Sequence, residues 1–215
     1  MDLIPAVSIR KGRVVCADCD DYRDMGKAIK IIRKLSEEFQ KILVIDIDAI
    51  ECSEPQFDLI QELSEEDFEL WLDVGVRNAD DLVHPFVTGA TVVVAGTKAV
   101  RSLDAFAEMY RVSGEVVPSI EVKDGKVVWG GSKVPSFDVV LARLREFGYK
   151  RLVVADFGRR QAHAGLDSAS IGKAAAGGFE VFAGGGVTKD DAPALETLGA
   201  KGALLEFRSV WNERP

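Results

Sequence analysis

The sequence predicts one α/β domain built as a closed (β/α)8 barrel, and three observations support this. Eight short runs rich in β-branched residues alternate with helix-patterned segments over the 215 residues. The runs are almost continuously apolar, as is typical of a parallel sheet covered on both faces. No linker or low-complexity stretch divides the chain. Eight such units favour a closed barrel over an open sheet, and we expect residues 1–215 to form a single domain.

The predicted elements follow one another in regular alternation. The strands are short apolar runs, in chain order 3–9, 41–47, 69–73, 91–95, 116–122, 151–157, 180–182 and 202–206. The helices place apolar residues three or four positions apart, at 25–39, 55–63, 79–87, 103–112, 137–147, 168–176 and 190–198. Ser102 and Ser136 precede two of them and are good N-terminal capping residues.

The two halves of the chain resemble each other at an offset of about 110 residues. Residues 4–15 match 117–128 without a gap, and residues 41–46 match 151–156. Two similar half-barrels, about 1–110 and 111–215, explain this repeat. The repeat predicts that superposing the halves places Ser8 on Glu121 and Asp46 on Asp156.

Composition excludes several classes of protein. Thirty-five acidic side chains against 27 basic ones give a net charge of −8, which argues against general nucleic-acid binding. No apolar run reaches the roughly 18 residues of a transmembrane helix. Asp2 follows Met1 where a secretory signal would be basic and then apolar, so we expect a cytoplasmic protein with no membrane partner. The sequence defines no oligomeric state.

Cys16 and Cys19 form a C-x-x-C pair, which raises a metal or redox interpretation. A zinc site needs four ligands, and the rest of the chain offers Cys52, His84 and His163. The acidic residues around Cys19 would raise a thiol pKa and reduce its reactivity. Structural cysteines are the favoured interpretation, with no metal and no cofactor.

A series of short motifs extends from the first strand to the last. They read I-P-A-V-S-I-R-K-G at 4–12, D-I-D at 46–48, G-V-R at 75–77, G-T-K-A-V at 96–100, D-G-K-V at 124–127 and G-G-V at 185–187. In this order and spacing they resemble the HisA/HisF family of histidine biosynthesis, most nearly its phosphoribosylformimino-aminoimidazole carboxamide ribotide isomerase branch. The resemblance implies a TIM barrel that binds a phosphorylated small molecule at the carboxyl ends of its strands.

The chain departs from the family at the residues that the resemblance makes catalytic. The acid/base aspartate at the end of strand 1 is Ser8 here, and the strand-5 aspartate is Glu121. In the R-D-G-T loop after strand 6, where the family has its second acid/base aspartate, the chain has Arg159 and Arg160. Serine has no charged state near pH 7 and arginine stays protonated. The sequence therefore predicts a divergent paralogue, similar to the HisA/HisF-related proteins of methanogens and methylotrophs.

Candidate site residues fall into three groups. Candidate catalytic groups are Glu121, Asp48, His163, Asp46 and Asp156, with Asp46 and Asp48 expected on the inner side of their strand because of their period-two spacing. Ser8, Arg159 and Arg160 are candidate substrate contacts. Candidate phosphate-binding residues are Gly75, Gly96 and Thr97 in one half, and Gly185 and Gly186 in the other.

The first half is expected to bind an anion more tightly, because Glu206 replaces a glycine in the second half unless Arg208 offsets it. Asp73 also departs from the family, which usually has glycine there. Salt bridges at the rim are an alternative role for the carboxylates, and a packing turn is one for the glycines. Lys98 either forms a Schiff base or is a solvated charge, and the latter is favoured.

Three functions stay open. The leading hypothesis is an enzyme that acts on a phosphorylated sugar or ribotide-like molecule by an isomerase or aldol/lyase step. The second is a non-catalytic paralogue that binds a phosphorylated ligand. The third is the ribotide isomerase itself with relocated acid/base residues, in which Glu121 and Asp48 would act.

Overall fold

The computed structural model describes residues 1–18, 21–158 and 166–211. Its strands are β1 (Asp2–Arg10), β2 (Arg13–Asp18), β3 (Asp21–Lys27), β4 (Lys41–Asp46), β5 (Glu69–Asp73), β6 (Val92–Gly96), β7 (Val116–Lys123), β8 (Lys126–Val127), β9 (Arg151–Asp156), β10 (Glu180–Val187) and β11 (Gly202–Glu206). Its helices are α1 (Ala28–Ser36), α2 (Ile47–Cys52), α3 (Phe57–Ser64), α4 (Val83–Val87), α5 (Leu103–Val112), α6 (Phe137–Phe147), α7 (Ser168–Ala176), α8 (Ala192–Thr197) and α9 (Phe207–Val210).

Eight of the strands close into a parallel barrel. Parallel pairing runs in the order β1, β4, β5, β6, β7, β9, β10 and β11, and β11 pairs again with β1. This confirms the predicted (β/α)8 barrel. Each predicted strand lies within a few residues of an observed one. The predicted helix 25–39 starts later, because residues up to Lys27 belong to β3 and pair with β2. No helix among the described residues is long and apolar enough to cross a membrane.

Side chains alternate between the inside of the barrel and the layer under the helices. The inner set is buried and apolar, and comprises Ile4, Leu43, Trp71, Val92, Val94, Val117, Val153, Ala155, Phe182 and Leu204. The outer set, which includes Ile42 and Val44 of β4, packs against the helices. Since successive strand residues point to opposite faces, this alternation fixes which terminal residues of each strand turn into the mouth.

The two halves share an unusual hairpin. Lys11 and Gly12 join β1 to β2 with φ angles of 48° and 73°, and Asp124 and Gly125 join β7 to β8 with 53° and 72°. Positive φ at both central residues is the type I′ geometry that suits tight hairpins. Ser8 of β1 pairs with Val15, and the Glu121 carbonyl accepts a hydrogen bond from the Val128 amide, 2.8 Å away. The hairpins therefore align the two halves in the register predicted from the repeat.

Candidate active site at the barrel mouth

The inward alternation brings a ring of mostly small or charged residues to the carboxyl ends of the strands. Each member follows an inner apolar residue of its strand by two or four positions and therefore points to the inside of the barrel. The members are Ser8, Asp73, Gly96, Glu121, Gly184 and Glu206. Active sites of (β/α)8 enzymes lie at this end of the barrel. The ring is the floor of the candidate site.

Glu121 is the best-defined acidic group of this mouth. Its side chain is buried, and Oε2 accepts a 2.6 Å hydrogen bond from the Lys98 amide. The carboxyl lies directly over Gly96, where an added Cβ would stand 2.9 Å from Oε1. The pKa of Glu121 is raised to about 7, chiefly by burial and also by the Asp73 charge, while the hydrogen bond from the Lys98 amide and the Lys98 charge act in the opposite direction.

Asp73 is the second acidic group in this part of the mouth. Its Oδ1 accepts a 2.9 Å hydrogen bond from the Gly75 amide. The pKa of Asp73 is raised to about 6, chiefly by burial, with a smaller increase from the Asp46 charge and opposing effects of the Gly75 hydrogen bond and the Lys98 charge. Two carboxyl groups that titrate near neutral pH therefore face the same space, and such groups are typical of acid–base sites.

A cavity of about 230 Å³ lies above these carboxyls. Its charged lining consists of Asp73, Glu121, Arg77, Lys98 and Arg101, and the three basic residues are exposed. One wall is the loop after β8, in which the Gly130 amide donates to the Thr97 carbonyl at 2.9 Å. The cavity can hold a small polar group close to both carboxyls.

Asp46 was predicted to face the inside of the barrel mouth, but it faces outward. It shares the outward facing of Ile42 and Val44, and it caps α2: Oδ1 accepts from the Ala49 amide at 3.1 Å. The Gln56 amide donates to Oδ2 at 2.7 Å. The Asp46 carboxylate thus orders the loop from β4 to α3.

Asp48 is also placed differently from the expectation. Asp48 was predicted to lie on the inner side of a strand, and this was wrong, because β4 ends at Asp46 and Asp48 lies in α2. Its Oδ2 accepts a 2.6 Å hydrogen bond from the Lys11 amide, and Oδ1 lies 3.7 Å from the Arg10 guanidinium. Asp48 therefore joins α2 to the β1–β2 turn.

Asp156 is buried at the end of β9 and has the outward facing of Leu152 and Val154. It is the counterpart of Asp46 in the other half. Arg159, Arg160 and His163 lie outside the described residues, as does Cys19 of the C-x-x-C pair. Cys16 is buried. No group of three or more potential metal ligands occurs in the described ranges.

The glycine turns of the two halves differ. In the first half the Gly75 and Lys98 amides already donate to carboxylates, and the Thr97 amide donates to the Ser119 carbonyl. The expectation of a tighter anion site in this half therefore loses its main support. In the second half Gly185 and Gly186 have φ angles of 89° and 87°. A Cβ at Gly185 would stand 2.5 Å from the Asp156 carbonyl oxygen, so this turn requires glycine.

Sequence reasoning found Glu121 but treated Asp73 as a departure from the family and not as an acidic group of the site. It also gave no role to Arg77 or Arg101. The signal for Asp73 is its spacing: it follows Trp71 by two residues, so the two side chains share one face of the strand.

Comparisons with known proteins agree with the architecture. The family described as histidine biosynthesis protein matches residues 2–206. A relative from Chloroflexus aurantiacus is 25% identical over 95% of this chain and 90% of its own. One from Desulfitobacterium hafniense is 26% identical over 96% and 88%, and one from Thermomicrobium roseum 27% over 100% and 93%. All three are named as isomerases of an imidazole-4-carboxamide that carries one phosphoribosyl group and one (phosphoribosylamino)methylideneamino group.

Proposed function

Because the chain belongs to the histidine biosynthesis protein family, we propose that it is an isomerase that uses acid–base catalysis on a phosphorylated, ribotide-like small molecule. The similar proteins are named isomerases. Isomerisation of an aldose or ribosylamine moves protons between neighbouring carbons. It therefore needs side chains that can both give and take a proton near neutral pH.

The Glu121 carboxyl is the observation that carries this proposal. It is buried in the mouth and points over Gly96 into the cavity, and its pKa of about 7 leaves both protonation states populated near neutral pH. Asp73 lines the same cavity with a pKa of about 6 and is the candidate partner. We assign Glu121 and Asp73 as the acid/base pair.

The proposed reaction has two proton-dependent stages. Opening of a ribosylamine ring needs a proton on the ring oxygen, which a protonated Glu121 would donate. The iminium formed by ring opening then loses its carbon-2 proton to give an enaminol. Carbon 1 of the enaminol gains a proton and the 2-hydroxyl loses its own to give the ketose, so two protons are gained and two are lost in all. The two carboxyls would share these transfers, since one is the conjugate base when the other holds the proton.

The phosphate group of the substrate would lie at the Gly185–Gly186 turn. Loops after the seventh and eighth barrel strands often form the phosphate site of (β/α)8 enzymes. Gly185 and Gly186 have positive φ and no side chain, so a phosphate group could approach their backbone closely. This turn is in the second half, so a substrate anchored there would extend across the mouth towards Glu121.

Solvent proton exchange tests the proposal directly. Phosphorylated aldoses and ribosylamines are incubated with the protein in heavy water, and deuterium at carbon 1 and carbon 2 is followed by NMR. Glu121→Gln should lower the exchange rate by about 10²-fold or more, because a positioned acid/base group is commonly worth that much. Glu121→Asp should retain part of it. Glu146→Gln, a matched change on the exposed face of α6, should have no effect.

Ser8 favours a second candidate function, that of a binding protein without catalysis, because a hydroxyl stands where the family resemblance implies an acid/base aspartate. The same experiment separates the two. A protein that binds phosphorylated aldoses but exchanges no carbon-bound proton, with or without the Glu121 carboxyl, would be a binder and the isomerase proposal would fail.

A further inference from the structure

We propose that the first half of the mouth excludes phosphate, so that the substrate carries a single phosphate group and presents an uncharged sugar or amide end to Asp73 and Glu121. Only the statement that the bound molecule is a substrate rests on the proposed function. The exclusion itself is a binding property and is tested without turnover.

Carboxylates already occupy two backbone donors in this half of the mouth. Glu121 Oε2 lies 2.6 Å from the Lys98 amide nitrogen, and Asp73 Oδ1 lies 2.9 Å from that of Gly75. A carboxylate oxygen at a backbone amide fills the place that a phosphate oxygen would need. The glutamate reaches this place because Gly96 has no side chain.

Electrostatic repulsion from the two carboxylates also disfavours phosphate in this half. A phosphate bound here would lie within a few ångströms of two carboxylates, and each such repulsion amounts to kilocalories per mole at the reduced dielectric of a half-buried site. Arg77, Lys98 and Arg101 also line the cavity. With both carboxylates ionised, three positive and two negative charges leave +1, but the three cations are exposed, so water screens their attraction for a phosphate.

The side chains that line the cavity suit an uncharged polar group. Ionised carboxylates accept hydrogen bonds from hydroxyl and amide groups, and exposed guanidinium groups donate to hydroxyl and carbonyl oxygens. A sugar or carboxamide offers both kinds of group without a charge. By contrast, the relatives are named for a compound with two phosphoribosyl groups. Asp73 and Glu121 would therefore determine specificity as well as move protons.

Inorganic phosphate is the probe for the test, observed through the amide resonances of Gly75 and Lys98. In the wild-type protein we expect these resonances to stay unchanged up to about 50 mM phosphate, far above the millimolar Kd of a weak specific site. In the double variant Asp73→Gly, Glu121→Ala, both amides are released and the three cations are unopposed. Phosphate should then shift both resonances, with an apparent Kd at least about 10-fold lower than in the wild type.

The single variants Asp73→Asn and Glu121→Gln keep the side-chain shape and should give intermediate gains, which protects the test if the double variant folds poorly. Glu146→Gln is the control and should behave as the wild type. Wild-type shifts at Gly75 and Lys98 as strong as in the variants would overturn the proposal. So would variants that gain no phosphate affinity.

A second arm uses sugar phosphates. In the wild-type protein, ribulose 1,5-bisphosphate should bind no more tightly than ribulose 5-phosphate. In the variants, the bisphosphate should bind more tightly than the monophosphate. Tighter binding of the bisphosphate to the wild type would contradict single-phosphate selection. If selection holds but no proton exchange is found with any sugar phosphate, the isomerase proposal fails and the exclusion stands.

Discussion

Ser8 and Glu121 occupy equivalent positions in the two half-barrels, one a hydroxyl and the other a carboxyl. Both lie three residues before a two-residue hairpin whose central residues have positive φ, Lys11–Gly12 after Ser8 and Asp124–Gly125 after Glu121. Both are on inward-facing positions of β1 and β7. The mouth therefore has an acidic group on the β7 side and an uncharged one on the β1 side.

From this difference we predict weak turnover of the substrate for which the relatives are named. A positioned acid/base group commonly contributes about 10²–10⁴-fold, so the rate should be at least about 10²-fold below that of a relative assayed beside it. Ser8→Ala should leave any residual rate unchanged. Product formation from the ribotide is the measurement. Robust turnover that Ser8→Ala abolishes would place the serine in the acid/base role.

Stability should fall as pH rises through the neutral range. Folding raises the pKa of Glu121 from 4.5 to about 7 and that of Asp73 from 3.8 to about 6, largely through burial. The folded chain thus binds more protons than the unfolded chain between about pH 4 and pH 7, and the free energy of unfolding decreases across that window. Urea denaturation at pH 5 and pH 8 measures this.

Glu121→Gln should reduce that pH dependence, because it removes the group with the larger window, and Glu146→Gln should not. A free energy of unfolding that rises between pH 5 and pH 8 in the wild type, but not in Glu121→Gln, would contradict the assigned direction.

Gly130 should be sensitive to the smallest substitution. A Cβ there would stand 2.5 Å from the Lys98 carbonyl oxygen, so Gly130→Ala must push the loop after β8 away from the turn that holds Glu121. We expect a loss of about 1–3 kcal/mol in the free energy of unfolding, the usual cost of overpacking, together with reduced proton exchange. Gly114→Ala is the matched control, since a Cβ at Gly114 meets open space.

Asp46 should act on stability and not on the acid–base profile. Asp46→Ala removes a fully buried carboxylate that accepts hydrogen bonds from the Ala49 and Gln56 amides. Loss of a helix cap and of buried acceptors should lower the free energy of unfolding by about 2 kcal/mol or more. Asp67→Asn, on an exposed residue, should cost little. An altered pH optimum in Asp46→Asn, with stability retained, would instead indicate a catalytic carboxylate.

The barrel was predictable because each strand is a nearly continuous apolar run, and such runs occur where both faces of a strand are covered. The facing of Asp46 and Asp48 was not, since the period of two applies only within a strand and the chain enters a helix at Ile47. The pattern of Asp46 followed three residues later by Ala49, at the start of a helix, was the available signal for a cap.

The chemistry of the mouth was predictable only in part. Glu121 follows from the end of a predicted strand. The effect of the Asp73 charge on Glu121 depends on the distance between β5 and β7, which lie on either side of β6 and its last residue, Gly96. Local sequence spacing does not encode that distance. The use of the Lys98 amide by a glutamate side chain likewise depends on the closed geometry.

Trp71 and Phe182 meet edge to face inside the barrel, with ring centroids 4.9 Å apart and almost no exposure. With the other inner residues they fill the barrel below the mouth, so the cavity above does not continue through the barrel interior. Anything that enters must leave by the route it came, and an occupant blocks the next arrival. Product and substrate would therefore compete for the same entrance, and release of product would limit the rate of turnover when product accumulates.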